Sequence, residues 1–150
     1  AQVIEIVSST EIKTLGPTGR RQQITMAGIK PVQDNHPVNH SGEKRLHSLI
    51  LGKTVMLEKL PDNRVLINYG GLDVAARLLE EGLNVIDYQS MQVMNPGKQK
   101  QYISAQEQAA RYERGYWLKQ NQRAVQRYHY PQWPAPGLPM PLTNAPVFRP

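Results

Sequence analysis

The chain has 150 residues, 39% of them hydrophobic and 20% charged, with 18 Lys and Arg against 12 Asp and Glu. It contains no cysteine, which excludes disulfides, thiolate metal sites and a cysteine nucleophile but says little about compartment; a periplasmic or extracellular home is slightly favoured over a cytoplasmic one. The length fits one domain with a sizeable core, no apolar run approaches the roughly 18 residues of a transmembrane helix, and the net charge of +6 suits an anionic partner, nucleic acid included.

In chain order, residues 1–7 read as a first strand with mixed alternation, Ser8-Ser9-Thr10 as a turn, and Glu11 to Leu15 as a second strand. Gly16-Pro17-Thr18-Gly19 is a hairpin loop, and residues 22–29 a third strand. Short connections between three early strands predict an antiparallel meander. Residues 30–40, with Pro31, Asp34, Asn35, Pro37 and Asn39, read as a loop, and Ser41-Gly42-Glu43 as the start of a helix that ends before Gly52. Strands follow over 54–58 and 64–69, separated by Pro61-Asp62-Asn63 and closed by Gly70-Gly71. Leu72, Ala75, Ala76, Leu78 and Leu79 form the apolar stripe of a helix over 72–81 capped by Gly82. Ser104 and Glu107 have capping-box spacing, predicting a last helix over 104–118 that buries Ala105, Ala109, Tyr112, Tyr116 and Trp117.

The C-terminus differs in kind. Residues 130–150 hold Pro131, Pro134, Pro136, Pro139, Pro141, Pro146 and Pro150, so they cannot form a helix or a central strand. The stretch reads as either an extended arm or a flexible linker; Trp133, Leu138, Met140, Val147 and Phe148 give it apolar area to bury, which favours an arm docked on its own domain or on a partner, with Trp133, Leu138, Met140 and Phe148 as partner-binding residues.

Four stretches occur in an order that resembles the staphylococcal nuclease family. ITMAGIKPVQ is similar to its strand and loop of an arginine, a hydrophobic run and Gly-Ile-Asp-x-Pro-Glu. SGEKRLHSLILGKTVMLE resembles its helix followed by Gly-Lys-x-Val. NRVLINYGGLDVAARLLEEGLNVI resembles its strand, turn and helix ending Gly-Leu-Ala, and YISAQEQAARYERGYW its last helix. The resemblance covers residues 2–118. It implies a mostly β fold with some α: a five-stranded OB barrel with flanking helices over residues 1–120, followed by a Pro-rich extension over 121–150.

The family's activity is calcium-dependent phosphodiester hydrolysis, using carboxylate ligands, a carboxylate base and two arginines. Carried over by position, the first metal carboxylate falls on Val7, the first arginine on Thr25, the second metal carboxylate on Lys30 and the base on Gln33. Only the second arginine persists, as Arg64, a candidate anion-binding residue. The resemblance therefore implies a degenerate active site with no catalytic residues, no metal and no cofactor. Glu5, Glu11, Asp34 and Glu43 are the acids available for a phosphodiesterase with relocated ligands. His36, His40 and His47 suit zinc in type, but their spacing is irregular. A non-catalytic module for protein–protein interaction in a larger assembly is the first expectation, and a nucleic-acid-binding domain without cleavage the alternative.

Overall fold

The computed structural model describes residues 1–33 and 36–118, a mixed α/β arrangement of eight strands and four α-helices. Asp34 and the arm carrying Trp133, Leu138, Met140 and Phe148 lie outside the described residues. β1 (Gln2–Ile6), β2 (Glu11–Leu15) and β3 (Arg21–Thr25) form an antiparallel sheet in that order. The β1–β2 register shifts by one residue between Val3 and Glu5, which makes Ile4 a bulge. The bulge explains the mixed alternation of the first strand, because one extra residue exchanges the faces of those that follow. Val3 pairs with Thr14 before it and Ile6 with Ile12 after it, and Val3, Ile12 and Thr14 are all buried.

The third strand read over 22–29 is cut in two. β3 ends at Thr25, and β4 (Ile29–Lys30) pairs with β8 (Val85–Ile86) instead. Gly28 lies between them at φ 81, a left-handed conformation that ends an extended run. A Cβ on Gly28 would also sit 2.7 Å from the Tyr102 ring. The third sheet is β5 (Met56–Lys59), β6 (Val65–Tyr69) and β7 (Leu72–Asp73), with Gly70 and Gly71 turning the chain between the last two.

The helices start where caps dictate. α1 (Pro37–Ile50) begins inside the segment read as a loop, with His36 as its cap and Pro37 in its first turn. α2 (Val74–Glu80) starts two residues later than expected because the Asp73 carboxylate accepts the Ala76 N–H at 3.1 Å. A short α3 (Tyr88–Met91) was not expected. α4 (Pro96–Arg111) replaces the helix predicted over 104–118: Asn95 caps it through the Lys98 N–H at 2.8 Å, and Ser104 is mid-helix. Glu113 and Gly115 at positive φ then turn the chain, and Gly115–Trp117 make one 3-10 turn. Tyr112, expected to be buried, lies past the helix end and is 61% exposed, with the Arg114 guanidinium 5.2 Å over its ring.

The main core gathers Val3, Ile12, Met26, Ile29, Leu46, Ile67, Leu78 and Tyr102. A second cluster joins Val32 and Val38 to Ala109, Ala110, Tyr116 and Trp117, so Trp117 is the packing residue expected of it. The single five-stranded barrel of the sequence reading is not met: the strands form three small sheets, and no closed barrel is found among the described residues. Gly28 and Gly52, both at positive φ, interrupt extended geometry at the junctions. Backbone hydrogen bonds still cross between sheets: Val3 N–H donates to the Lys53 carbonyl at 2.9 Å, Val55 N–H to Ala1 at 2.8 Å, and Ala27 N–H to Val65 at 2.9 Å. Among the described residues no helix is long and apolar enough to cross a membrane.

Candidate functional site

The positions that the nuclease resemblance singles out surround the stretch from Thr25 to Gln33. The N–H groups of Val7 and Ser8 both donate to the Glu11 carbonyl, at 2.9 and 3.1 Å, closing the β1–β2 turn. Thr25 faces Glu11 across the β2–β3 ladder, and its hydroxyl donates to Glu11 Oε2 at 3.4 Å. Val7 and Thr25 therefore both meet Glu11, Val7 at its backbone carbonyl and Thr25 at its carboxylate. Lys30 points an exposed side chain outward from β4, while its carbonyl accepts Asn84 Nδ2 at 3.3 Å. The same Nδ2 lies 3.4 Å from both the carbonyl and the hydroxyl of Ser9. The fully buried Asn84 thus ties the β1–β2 turn to β4. Gln33 contributes its backbone, its carbonyl accepting from the His36 N–H and from Asn39 Nδ2, each at 3.1 Å.

Arg64 opens β6 beside this strip. Its guanidinium lies 3.5 Å from Asp87 and 3.9 Å from Asp62, and Asp87 N–H donates to the Gly28 carbonyl at 3.0 Å. Two carboxylates therefore already face the one arginine that persists, and an incoming anion would compete with both. Of the acids considered as relocated ligands, Glu5 pairs with Lys13 at 3.6 Å, Glu11 sits against Thr25, and Glu43 lies on α1. Among the described residues no three His, Cys, Asp or Glu gather as metal ligands.

The histidines have separate roles. His36 Nδ1 accepts the Val38 N–H at 3.1 Å as the α1 cap, and its ring meets Tyr116 edge-on at 5.4 Å. His40 and His47 are exposed along α1. Burial lowers the His36 pKa from its ordinary 6.5. The unfolded chain then takes up a proton at His36 more readily than the folded chain does. Stability is full above about pH 6.5 and falls as the pH drops towards the folded value. Protonation also removes the acceptor of the cap. In urea melts, His36→Ala should cost about 1 kcal/mol at neutral pH. His36→Asn should keep the cap and flatten the pH dependence below about pH 6.5, and an unchanged slope in that variant would refute the assignment.

Two polar constellations had no sequence prediction. Asn84 is one. The other is Asp73, whose carboxylate accepts the Tyr102 hydroxyl at 2.8 and 3.0 Å and Lys98 Nζ at 2.6 Å while capping α2. Burial, and after it the Asp73 charge, push the Tyr102 pKa far above the ordinary phenol value. Asp73 also lines an open cleft of about 310 Å³ between α2 and α4, with Arg77, Glu80, Gln101 and Ser104. Arg77 is itself bridged to Glu80 and Glu81. The local signal for Asp73 was its place between Gly70-Gly71 and Val74-Ala75-Ala76, where a capping residue belongs.

No protein-family model matches the chain, and no curated protein matches it.

Proposed function

We propose that this chain is a non-catalytic module of the staphylococcal-nuclease-like class that mediates protein–protein contact in a larger assembly. The carrying observation is the chemistry at Val7, Thr25, Lys30 and Gln33. Calcium needs several hard oxygen ligands, and these side chains supply an alkyl group, a hydroxyl, a cation and an amide. An ammonium at Lys30 repels the metal, and the Gln33 amide takes no proton from water at neutral pH. Arg64 is occupied by Asp62 and Asp87. In support of the finer fold, the hydrogen bonds from Val3 to Lys53, Val55 to Ala1 and Ala27 to Val65 run in the sense that would join the sheets into an OB-type barrel.

The alternative, nucleic-acid binding without cleavage, draws on the net charge of +6. The described residues hold 14 Lys and Arg against 11 Asp and Glu, and Arg45, Arg64, Arg77 and Lys98 are already in ion pairs. Lys119, Arg123, Arg127 and Arg149, beyond them, hold much of the excess. That distribution supports a protein partner over a basic groove on the folded body.

Incubation of the purified protein with calcium and single- or double-stranded nucleic acid should release nothing above background. Calcium-dependent cleavage abolished by substituting Glu11 would overturn the non-catalytic reading in favour of relocated ligands.

A further inference from the structure

The start of α1 and the turn Gly115–Trp117 meet at one imidazole. Val32 N–H donates to Asn39 Oδ1 at 3.0 Å, and the Gln33 carbonyl receives Asn39 Nδ2 and the His36 N–H, so the segment before α1 is tied to its first turn. His36 closes that turn by accepting the Val38 N–H, and its ring stands edge-on to Tyr116. Tyr116 stands edge-on to Trp117 in turn, with ring centroids 5.2 Å apart. Val32, Val38, Tyr116 and Trp117 belong to the second apolar cluster, a set of buried residues separate from the main core.

A proton on His36 changes three things there. The cap acceptor becomes a donor facing the Val38 donor. A cation sits at the positive end of α1. The ring must turn away to find an acceptor, and so leaves the edge contact with Tyr116. The cations on the elements packed around it are Lys30 on β4, His40 on α1, and Arg111 and Arg114 before the turn, which supply no counter-charge. The acids are Glu43 on α1, Glu81, which is held by Arg45, and Glu113; among the described residues no carboxylate pairs with His36. Asp34 lies outside the described residues.

We propose that protonation of His36 releases the turn Gly115–Trp117 from the start of α1, a local opening that bares Val32, Val38, Tyr116 and Trp117 while the main core stays folded. This goes beyond a fall in the stability of the whole chain, and it stands apart from the non-catalytic reading. Because the two clusters are separate, the second can open without breaking the first. Burial lowers the His36 pKa from its ordinary 6.5 in the closed form, so the open form takes the proton more readily. Opening therefore grows as the pH falls below about 6.5, by up to about tenfold per pH unit, and levels off below the closed-form value. The outcome is an apolar patch displayed only in acid.

The test is amide hydrogen exchange by NMR on the full chain at pH values on either side of about 6.5, corrected for intrinsic rates. Protection at the Val38 and Tyr116 amides should fall in acid through an opening that low urea does not accelerate. Ile67 and Leu78, in the main core, should exchange only through urea-sensitive unfolding. The His36 ring, followed by NMR, should titrate below about 6.5. His36→Asn keeps a cap acceptor and should abolish the acid response at both amides. A His36 midpoint at or above about 6.5 would refute the proposal, because Asp34 or the Tyr116 ring would then be holding the imidazolium in the closed form. So would Val38 and Tyr116 amides as urea-sensitive as Ile67, since the turn would then open only with the whole chain. An acid response that persists in His36→Asn would also sink it. The first two measurements use the natural sequence and stand if the variant does not fold.

Discussion

Gly115→Ala should destabilise the protein by about 3 kcal/mol or more, close to the largest effect expected of a single methyl group. Gly82 and Gly115 cross backbone to backbone, both at positive φ, and Tyr116 N–H donates to the Gly82 carbonyl at 2.8 Å. A Cβ on Gly115 would overlap the Gly82 carbonyl oxygen and come 2.8 Å from that of Glu81, and a Cβ on Gly82 would overlap the Arg114 carbonyl. Backbone cannot step aside as a flexible side chain can. Gly19 is the control: its φ is 84, but a Cβ there meets nothing within 4 Å. Gly19→Ala should cost only the conformational penalty, about 1 kcal/mol. Urea melts of both variants decide the matter, and equal losses would show that strain rather than overlap governs Gly115.

Asp73→Ala should cost about 3–5 kcal/mol. Asp73 is 7% exposed, and its carboxylate receives the Tyr102 hydroxyl, Lys98 Nζ and the Ala76 N–H. Removing it leaves the wholly buried Tyr102 hydroxyl without an acceptor and uncaps α2. Tyr102→Phe should be milder, about 1.5–3 kcal/mol, because Asp73 keeps Lys98 and the helix cap. Chemical denaturation ranks the two. A phenylalanine variant as damaged as the alanine one would show that the Tyr102 hydroxyl bond accounts for the whole loss, with Lys98 and the helix cap adding nothing measurable.

Element types were mostly legible because their signals are local. The apolar stripe of Ala75, Ala76, Leu78 and Leu79 marks α2, and it packs on α4 and the sheet. Gly70-Gly71 marks a hairpin, and both residues do adopt positive φ. Boundaries failed where two local signals competed. Asn95-Pro96 is a stronger helix start than Ser104 with Glu107, since Pro96 is preset for the first turn. His36 is an uncommon cap, so the sequence places the start of α1 four to six residues late, at Ser41 to Glu43, with Pro37 its one clear cue. At the candidate site, substitution of charge was visible residue by residue. The occupation of Arg64 by Asp87 and the bond from Asn84 to Ser9 were not, because each joins residues far apart in sequence. Periodicity carries no information on such pairs.

The second apolar cluster has a consequence for how the chain folds. Val32 and Val38, on either side of the α1 cap, pack with Tyr116 and Trp117 at the far end of the described residues. During synthesis the cap loop leaves the ribosome long before those aromatics exist. Contacts of such sequence separation are slow to form, because a long loop must close first. Until then, Val32, Val38 and one face of His36 remain open to water, a transient sticky surface of the kind that chaperones engage. Trp117, 1% exposed when folded, is the residue whose arrival closes it.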